Sequence, residues 1–310
     1  MVPPDRLPVA VVIPTRDRPQ HLARVLAAVA RAVDAVDEVV VVDSASTRAD
    51  AVEAAVRAGV RVVRCEEPGA SRARNAGAAA TTAPIVAFTD DDCAPRPGWT
   101  QAIAAALADP ARAFVTGRVV PDAVDGAVVS VLDDTTSRRL CWPDDPAGMG
   151  HGANAAFRRG WLEEVRGWDE LMGAGAPLRG GEEQDLFLRI MHAGGEGRFE
   201  PAVEVIHHQW RGSSEALRLE LAYGRGSAAV VRKAWSLDRR MGMRMLARRV
   251  WTDGPVLVLR DLLKGRRRAA LHSSVRLAGT VAGLTRAFAY RVDGGLLRTR
   301  RSARHSGPGS

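Results

Sequence analysis

The chain has 310 residues, 46% of them hydrophobic and 26% charged, with a formal net charge of +8 at pH 7. This is the composition of an ordinary globular protein, long enough to bury a large core as one big domain or as one domain with an appendage. Three widely spaced cysteines (Cys65, Cys93, Cys141) argue against a disulfide framework or a zinc site and for a reducing compartment. No uninterrupted apolar run of 18 residues is present to span a membrane. The opening Met1-Val2-Pro3-Pro4-Asp5 lacks a signal-peptide pattern, so a cytoplasmic location is expected.

Pro8 to Pro14 is a short apolar run closed by Thr15-Arg16-Asp17-Arg18-Pro19, and it reads as a first strand. A helical pattern follows, with Leu22, Val25, Leu26 and Val29 on one face. Asp37 to Val42 is a second strand, closed by Asp43-Ser44-Ala45-Ser46-Thr47. Another helical stretch leads to a third strand at Val60 to Cys65. Gly69 to Gly77 starts a short helix, and Pro84 to Phe88 reads as a buried fourth strand. Strands alternating with helices predict a parallel α/β sheet, and continuous Val-rich strands agree, because such a sheet is covered on both faces. Ligands of these sheets bind at the carboxyl ends of the strands, where Thr15 to Arg18, Asp43 to Thr47 and Asp90 to Asp92 fall. Neither a GxGxxG fingerprint nor a P-loop is present.

The run Ala87-Phe88-Thr89-Asp90-Asp91-Asp92 carries the most chemistry. If strand alternation continues through it, Asp90 and Asp92 point one way and Asp91 another. Like charges aimed at one spot need a cation or bound donors to offset them, and hard carboxylate oxygens suit Mg²⁺ or Mn²⁺ that also bind substrate phosphates. An acidic loop capping the next helix is the plainer alternative. Further on, Glu182-Glu183-Gln184-Asp185-Leu186-Phe187-Leu188-Arg189 reads as the opening of a helix. Glu182, Asp185 and Arg189 share a face there, so Asp185 is expected to pair with Arg189 while Glu183 points elsewhere. The stretch Arg232 to Arg304 is heavily basic and interleaved with apolar runs at Val256 to Leu259 and Val275 to Tyr290. That pattern fits adsorption to an anionic membrane surface, with a solvated helical appendage as the plainer alternative. No recognition motif supports nucleic acid, and none is expected as a partner.

The ordered set PTRDR, VVVVDSAS, GASRARNAG and AFTDDDCAP resembles inverting glycosyltransferases of family 2, which have the GT-A fold. The resemblance continues through Gly150 to Arg159, Gly167-Trp168-Asp169-Glu170, Gly180 to Leu186 and Val205-Ile206-His207, covering about Pro8 to about Tyr223. It implies an α/β, GT-A-like doubly wound, mostly parallel sheet flanked by helices over 1–225. Within that range, 1–120 is the nucleotide half and 121–225 the acceptor half. A basic helical region at 226–300 and a disordered tail at 301–310 complete the expected organisation.

By the same resemblance, Pro14, Thr15 and Asp17 line the nucleotide pocket, and Asp43 meets the base or ribose. Arg74 and Asn75 face a uracil-type base or the phosphates. Asp92 is the direct metal ligand, with Asp90 or Asp91 on the ribose and Asp90 and His207 as further metal candidates. Asn154 lies near the sugars, while the Trp168 ring, read by itself, suits either stacking on a sugar or packing in the core. Glu183 stands where the family normally has an aspartate general base, with Glu182 and Asp185 as fallbacks. The implied cofactor is Mg²⁺ or Mn²⁺, and the implied donor a nucleoside-diphosphate sugar, in first place a UDP-sugar. The acceptor is a hydroxyl, lipid-linked at a membrane surface, in envelope glycan, glycolipid or natural-product glycosylation. A non-catalytic nucleotide-sugar-binding scaffold and a nucleotidyltransferase are the alternatives.

Overall fold

A computed structural model of the chain describes residues 6–122, 129–210 and 212–299, so the tail expected at 301–310 lies outside the described residues. The chain divides into two compact units: Met1–Trp168 with Leu186–Gly212, and Asp169–Asp185 with Ser213–Ser310.

In the first unit the expected order of elements holds. Strand β1 (Val9–Thr15) is buried along its whole length, as its unbroken apolar sequence requires. Helix α1 (Pro19–Ala32) starts with proline in its first turn and buries Leu22, Val25, Leu26 and Val29. There follow β2 (Glu38–Ser44), α2 (Ala49–Ala55), β3 (Arg61–Cys65), α3 (Ala70–Ala79), β4 (Ile85–Phe88), β5 (Cys93–Pro95), α4 (Trp99–Ala106) and β6 (Arg112–Pro121). Then come β7 (Arg138–Leu140), β8 (Ala155–Arg158), α5 (Arg159–Glu164), α6 (Glu182–His192), whose residues up to Asp185 belong to the second unit, and β9 (Glu196–His207). The sheet runs β3-β2-β1-β4-β8-β6-β9-β5, with β7 also paired to β9. β3, β2, β1 and β4 are parallel neighbours, while β8 is antiparallel to β4 and β6.

Alternation along β1 divides the core in two. Val9, Val11 and Ile13 join α1 and Trp99 and Ile103 of α4 on one face. Val12 joins Ala73 of α3 with Phe88, Phe114, Phe157, Trp168 and Phe187 on the other. This is the doubly wound arrangement. The register sets Thr15, the end of β1, beside Asp43 near the end of β2, while β4 ends with Phe88 beside Val12, three residues short of that level. Helix α3 reaches the sheet through Gly77, where an added Cβ would lie 2.3 Å from Val12 Cγ1 and 2.9 Å from Val42 Cγ2.

The second unit is helical. It contains α7 (Ser213–Leu237), α8 (Arg239–Ala247), a π-helical segment over Arg248–Val256, α9 (Leu257–Leu263) and α10 (Arg267–Phe288), then the hairpin β10 (Arg291–Asp293) and β11 (Leu296–Arg298). The border expected at 225 falls inside α7. α7 and α10 approach backbone to backbone at Gly224, whose added Cβ would lie 2.1 Å from the Arg276 carbonyl oxygen. No helix among the described residues is long and apolar enough to cross a membrane.

In an open helix, alanine is preferred to glycine by about 1 kcal/mol. At Gly77 the clash with Val12 reverses the sign, and Gly77→Ala is expected to lose about 2 kcal/mol in urea denaturation.

Candidate active site

Strand β4 stops at Phe88, and a turn closed by the Cys93 N–H donating to the Asp90 carbonyl at 3.0 Å follows. Strand alternation therefore does not carry into the acidic run, and the expected pairing of Asp90 with Asp92 is corrected. Asp91 and Asp92 converge, while Asp90 turns to Arg74, whose Nη2 donates to Asp90 Oδ1 at 2.8 Å. Both converging carboxylates are buried. Thr15 Oγ1 donates to Asp91 Oδ2 at 2.7 Å. The Arg18 guanidinium bridges the pair, with Nη2 3.0 Å from Asp91 Oδ1 and Nη1 3.2 Å from Asp92 Oδ2. The Trp210 indole N–H donates to Asp92 Oδ2 at 2.8 Å. Its ring carries the Arg18 guanidinium at 5.4 Å and meets His21 edge-on at 5.5 Å.

Sheet pairing brings in His207. β5 and β9 run antiparallel with Cys93 opposite His207, and the His208 N–H donates to the Asp92 carbonyl at 2.9 Å. His207 Nε2 lies 3.8 Å from Asp92 Oδ1, and Nδ1 lies 3.2 Å from the Val129 carbonyl and 2.9 Å from Gln209 Nε2. His208 faces away and pairs with Asp122 at 2.7 Å.

Burial pushes the Asp91 carboxyl up to about 7, against the pull of Arg18 and Thr15. Burial also acts to raise Asp92. There the hydrogen bond and charge from His207, the Trp210 indole and Arg18 outweigh it and hold the carboxyl well below the usual carboxylate range. The neighbouring Cys93 thiol is raised far above its ordinary value by burial and by the carboxylates, and it stays protonated. Asp92, Cys93 and His207 offer ligand atoms that all lie within 4.8 Å of one another. With the thiol protonated, Asp92 and His207 are the effective donors. Asp91 Oδ1 accepts no well-directed hydrogen bond, which leaves acceptor capacity beside them. This donor set fits a divalent cation.

The neighbouring loops are tied together. Pro14 is buried in β1 opposite Val42. Asp17 adopts a left-handed backbone (φ 55°), and its Oδ1 accepts from Thr47 N at 2.7 Å and Thr47 Oγ1 at 2.6 Å. Asp43 accepts from Ser46 N at 3.0 Å and is paired with Arg64. Arg74 is buried, with its guanidinium 4.8 Å from the Trp168 ring centre. Asn75 holds the Trp168 backbone in both directions, donating at 2.9 Å and accepting at 2.8 Å. Trp168 itself is 1% exposed and lies against Phe88 and Phe157. Asn154 is fully buried: its Oδ1 accepts from Trp99 Nε1 at 2.9 Å, and its Nδ2 donates to the Arg118 and Val203 carbonyls. Asn75, Asn154 and Trp168 thus brace the framework beneath the strand ends.

The acidic motif opens α6 in the second unit. Glu182 and Asp185 are buried and Glu183 is half-buried, with Gln184 Nε2 3.4 Å from Glu183 Oε1. The expected pairing of Asp185 with Arg189 is corrected. Asp185 Oδ1 is 2.6 Å from Nζ of the fully buried Lys233, which also donates to Asp169 Oδ2 at 2.6 Å. Arg189 instead donates to the Val165 and Gly167 carbonyls. A lysine from α7 was invisible to helical spacing, because it lies 48 positions beyond Asp185 in the chain. Arg18 and Cys93 were also missed as members of the metal cluster's surroundings. Their only signal was adjacency to PTRD and DDD.

Residues 10–166 match the family described as glycosyl transferase family 2. The chain belongs to glycosyl transferase family 2. This family 2 chain is 30% identical over 236 residues to the pre-mycofactocin glycosyltransferase of Mycobacterium tuberculosis, in strains CDC 1551 / Oshkosh and ATCC 25618 / H37Rv. The match covers 73% of the chain and 48% of the relative, so the chain spans about half the length of the curated relatives it matches. Among solved structures, it is similar to mannosyltransferase PcManGT from Pyrobaculum calidifontis in complex with GDP-Man and Mn²⁺. That likeness has a TM-score of 0.60 at 20% identity, covering 91% of this chain and 88% of that one. It is also similar to S. aureus TarS 1-349, with a TM-score of 0.54 at 13% identity over 97% and 98% of the two chains. These likenesses show the GT-A fold.

Two outcomes are expected of family 2 variants at these positions. Arg18→Gln removes the internal cation between Asp91 and Asp92 and should tighten Mn²⁺ binding about tenfold in calorimetric titration. Lys233→Met leaves two carboxylates buried without their cation and should cost about 3–5 kcal/mol in urea denaturation.

Proposed function

We propose that this family 2 chain is a metal-dependent, inverting glycosyltransferase of the hexosyl class. It moves a sugar from a nucleoside-diphosphate sugar to an acceptor hydroxyl. The observation that carries this reading is the convergence of Asp91 and Asp92, just past the carboxyl end of β4, with His207 at the carboxyl end of β9, with donors fit for a divalent cation. Supporting it, PcManGT shares the fold and is described in complex with GDP-Man and Mn²⁺.

In this proposal Asp43 and Asp17 hold the base and ribose of the donor, with Arg74 toward the base or phosphates and Asp90 at the ribose. Asp92 and His207 hold the cation. A carboxylate with an imidazole suits Mn²⁺ at least as well as Mg²⁺, which favours oxygen ligands. The cation, when bound, offsets the charge that develops on the departing nucleoside diphosphate. Glu183 takes the proton from the acceptor hydroxyl. The hydroxyl oxygen bonds to the anomeric carbon on the face opposite the leaving group as the bond to the diphosphate oxygen breaks. Configuration inverts without a covalent enzyme intermediate. We propose a UDP-sugar as donor, with a GDP-sugar as the alternative that PcManGT raises. The acceptor is a lipid-linked hydroxyl in glycan, glycolipid or natural-product glycosylation.

Calorimetric titration with UDP, GDP and dTDP, each with and without Mn²⁺, tests the donor site. One nucleotide is expected to bind in a metal-dependent way that Asp92→Ala abolishes; binding of none would overturn the assignment. Glu183→Gln should then slow transfer by about 10²–10⁴-fold with nucleotide affinity unchanged. A wild type that binds nucleotide and transfers no sugar from any hexose donor would favour a non-catalytic scaffold.

A further inference from the structure

Between α9 and α10 the second unit carries a turn that its own fold leaves to solvent. Residues 262–269 are exposed without a break, in the order Leu262, Leu263, Lys264, Gly265, Arg266, Arg267, Arg268, Ala269. Leu262 is 52% exposed and Leu263 is 79%. Among the described residues, Lys264, Arg266, Arg267 and Arg268 make no side-chain ion pair. The arginines also sit where the helix disfavours them. Arg266 is the N-cap of α10, Arg267 and Arg268 open its first turn, and no acidic residue lies there. Cations at the positive end of a helix dipole are unfavourable until an anion reaches them.

The apolar surface continues on both sides of the turn. Val256 and Leu259 are more than half exposed before it, and Leu271 and Val281 after it. Pro255, Val258, Leu277, Ala278 and Val281 line an apolar groove of about 670 Å³ alongside.

We propose that the turn at 262–269, with the flanking faces of α9 and α10, docks on an anionic lipid bilayer. Phosphate-bearing headgroups meet Lys264 and the three arginines, and Leu262 and Leu263 enter the boundary between headgroups and acyl chains. Charge complementarity selects this occupant. A second copy of the chain related by a two-fold axis would set four cations against four cations. A nucleic acid would leave the leucines without a partner. The helices lie on the bilayer and do not span it. This surface stands independently of the transfer reaction.

The test is co-sedimentation of the full chain, without nucleotide or metal, with phosphatidylcholine vesicles and with vesicles that also contain phosphatidylglycerol. Binding to the anionic vesicles alone is expected, weakening as salt rises. Leu262→Ser with Leu263→Ser, and separately Lys264→Gln with Arg266→Gln, Arg267→Gln and Arg268→Gln, should each lower partition by at least about tenfold with melting curves unchanged. Three results would overturn the proposal. They are no binding to anionic vesicles at low salt, undiminished binding by both variants, and self-association in sedimentation velocity that Leu263→Ser abolishes.

Discussion

Two buried carboxylates side by side require a positive charge, and much of the first unit is arranged around that requirement. Asp91 and Asp92 sit on a turn at the end of β4, in a setting where each disfavours ionisation of the other. Arg18 reaches them from the loop after β1, Trp210 from the segment after β9, and Thr15 from the end of β1 itself. These contacts rest on the parallel register of β1 with β2 and β4 and on the antiparallel pairing that puts Cys93 opposite His207. The charge requirement and the sheet topology therefore specify each other.

The same problem is solved a second time in the other unit, with a different outcome. Lys233 also lies between two carboxylates, Asp169 and Asp185, but it is fully buried, whereas the Arg18 side chain is 33% exposed. A buried ammonium with two short contacts has no route to water and holds its place permanently. A partly exposed guanidinium on a loop is exchangeable for another cation at modest cost. The first arrangement stabilises the start of α6, where the acidic motif lies; the second leaves its carboxylates available to an incoming ion.

Much of this was legible in the amino-acid order, because hydrophobic period and strand-end polarity are local signals. The core face of α1 and strands β1 to β4 follow from runs such as Val9 to Ile13 and Val39 to Val42. The acidic run was recognisable, but its geometry was not. Extending strand alternation past Phe88 paired Asp90 with Asp92, whereas the turn pairs Asp91 with Asp92. Helical spacing likewise offered Arg189 to Asp185, whereas the partner comes from α7. Asn154 and Trp168 stood out by motif, and only the packed structure shows the Asn154 amide engaged with Trp99 and the Trp168 ring packed on Phe88 and Phe157. In each case the missing information is a contact between residues distant in the chain, which no local period encodes.

Trp210 gives this arrangement an optical consequence. Its indole N–H is bonded to Asp92, the Arg18 guanidinium lies 5.4 Å from its ring, and 42% of its surface meets solvent. Indole emission is sensitive to charge and hydration in its immediate surroundings. Anything that displaces Arg18 or takes up the Asp92 carboxylate thus changes the light this side chain emits, and the acidic cluster carries its own fluorescent reporter of occupancy.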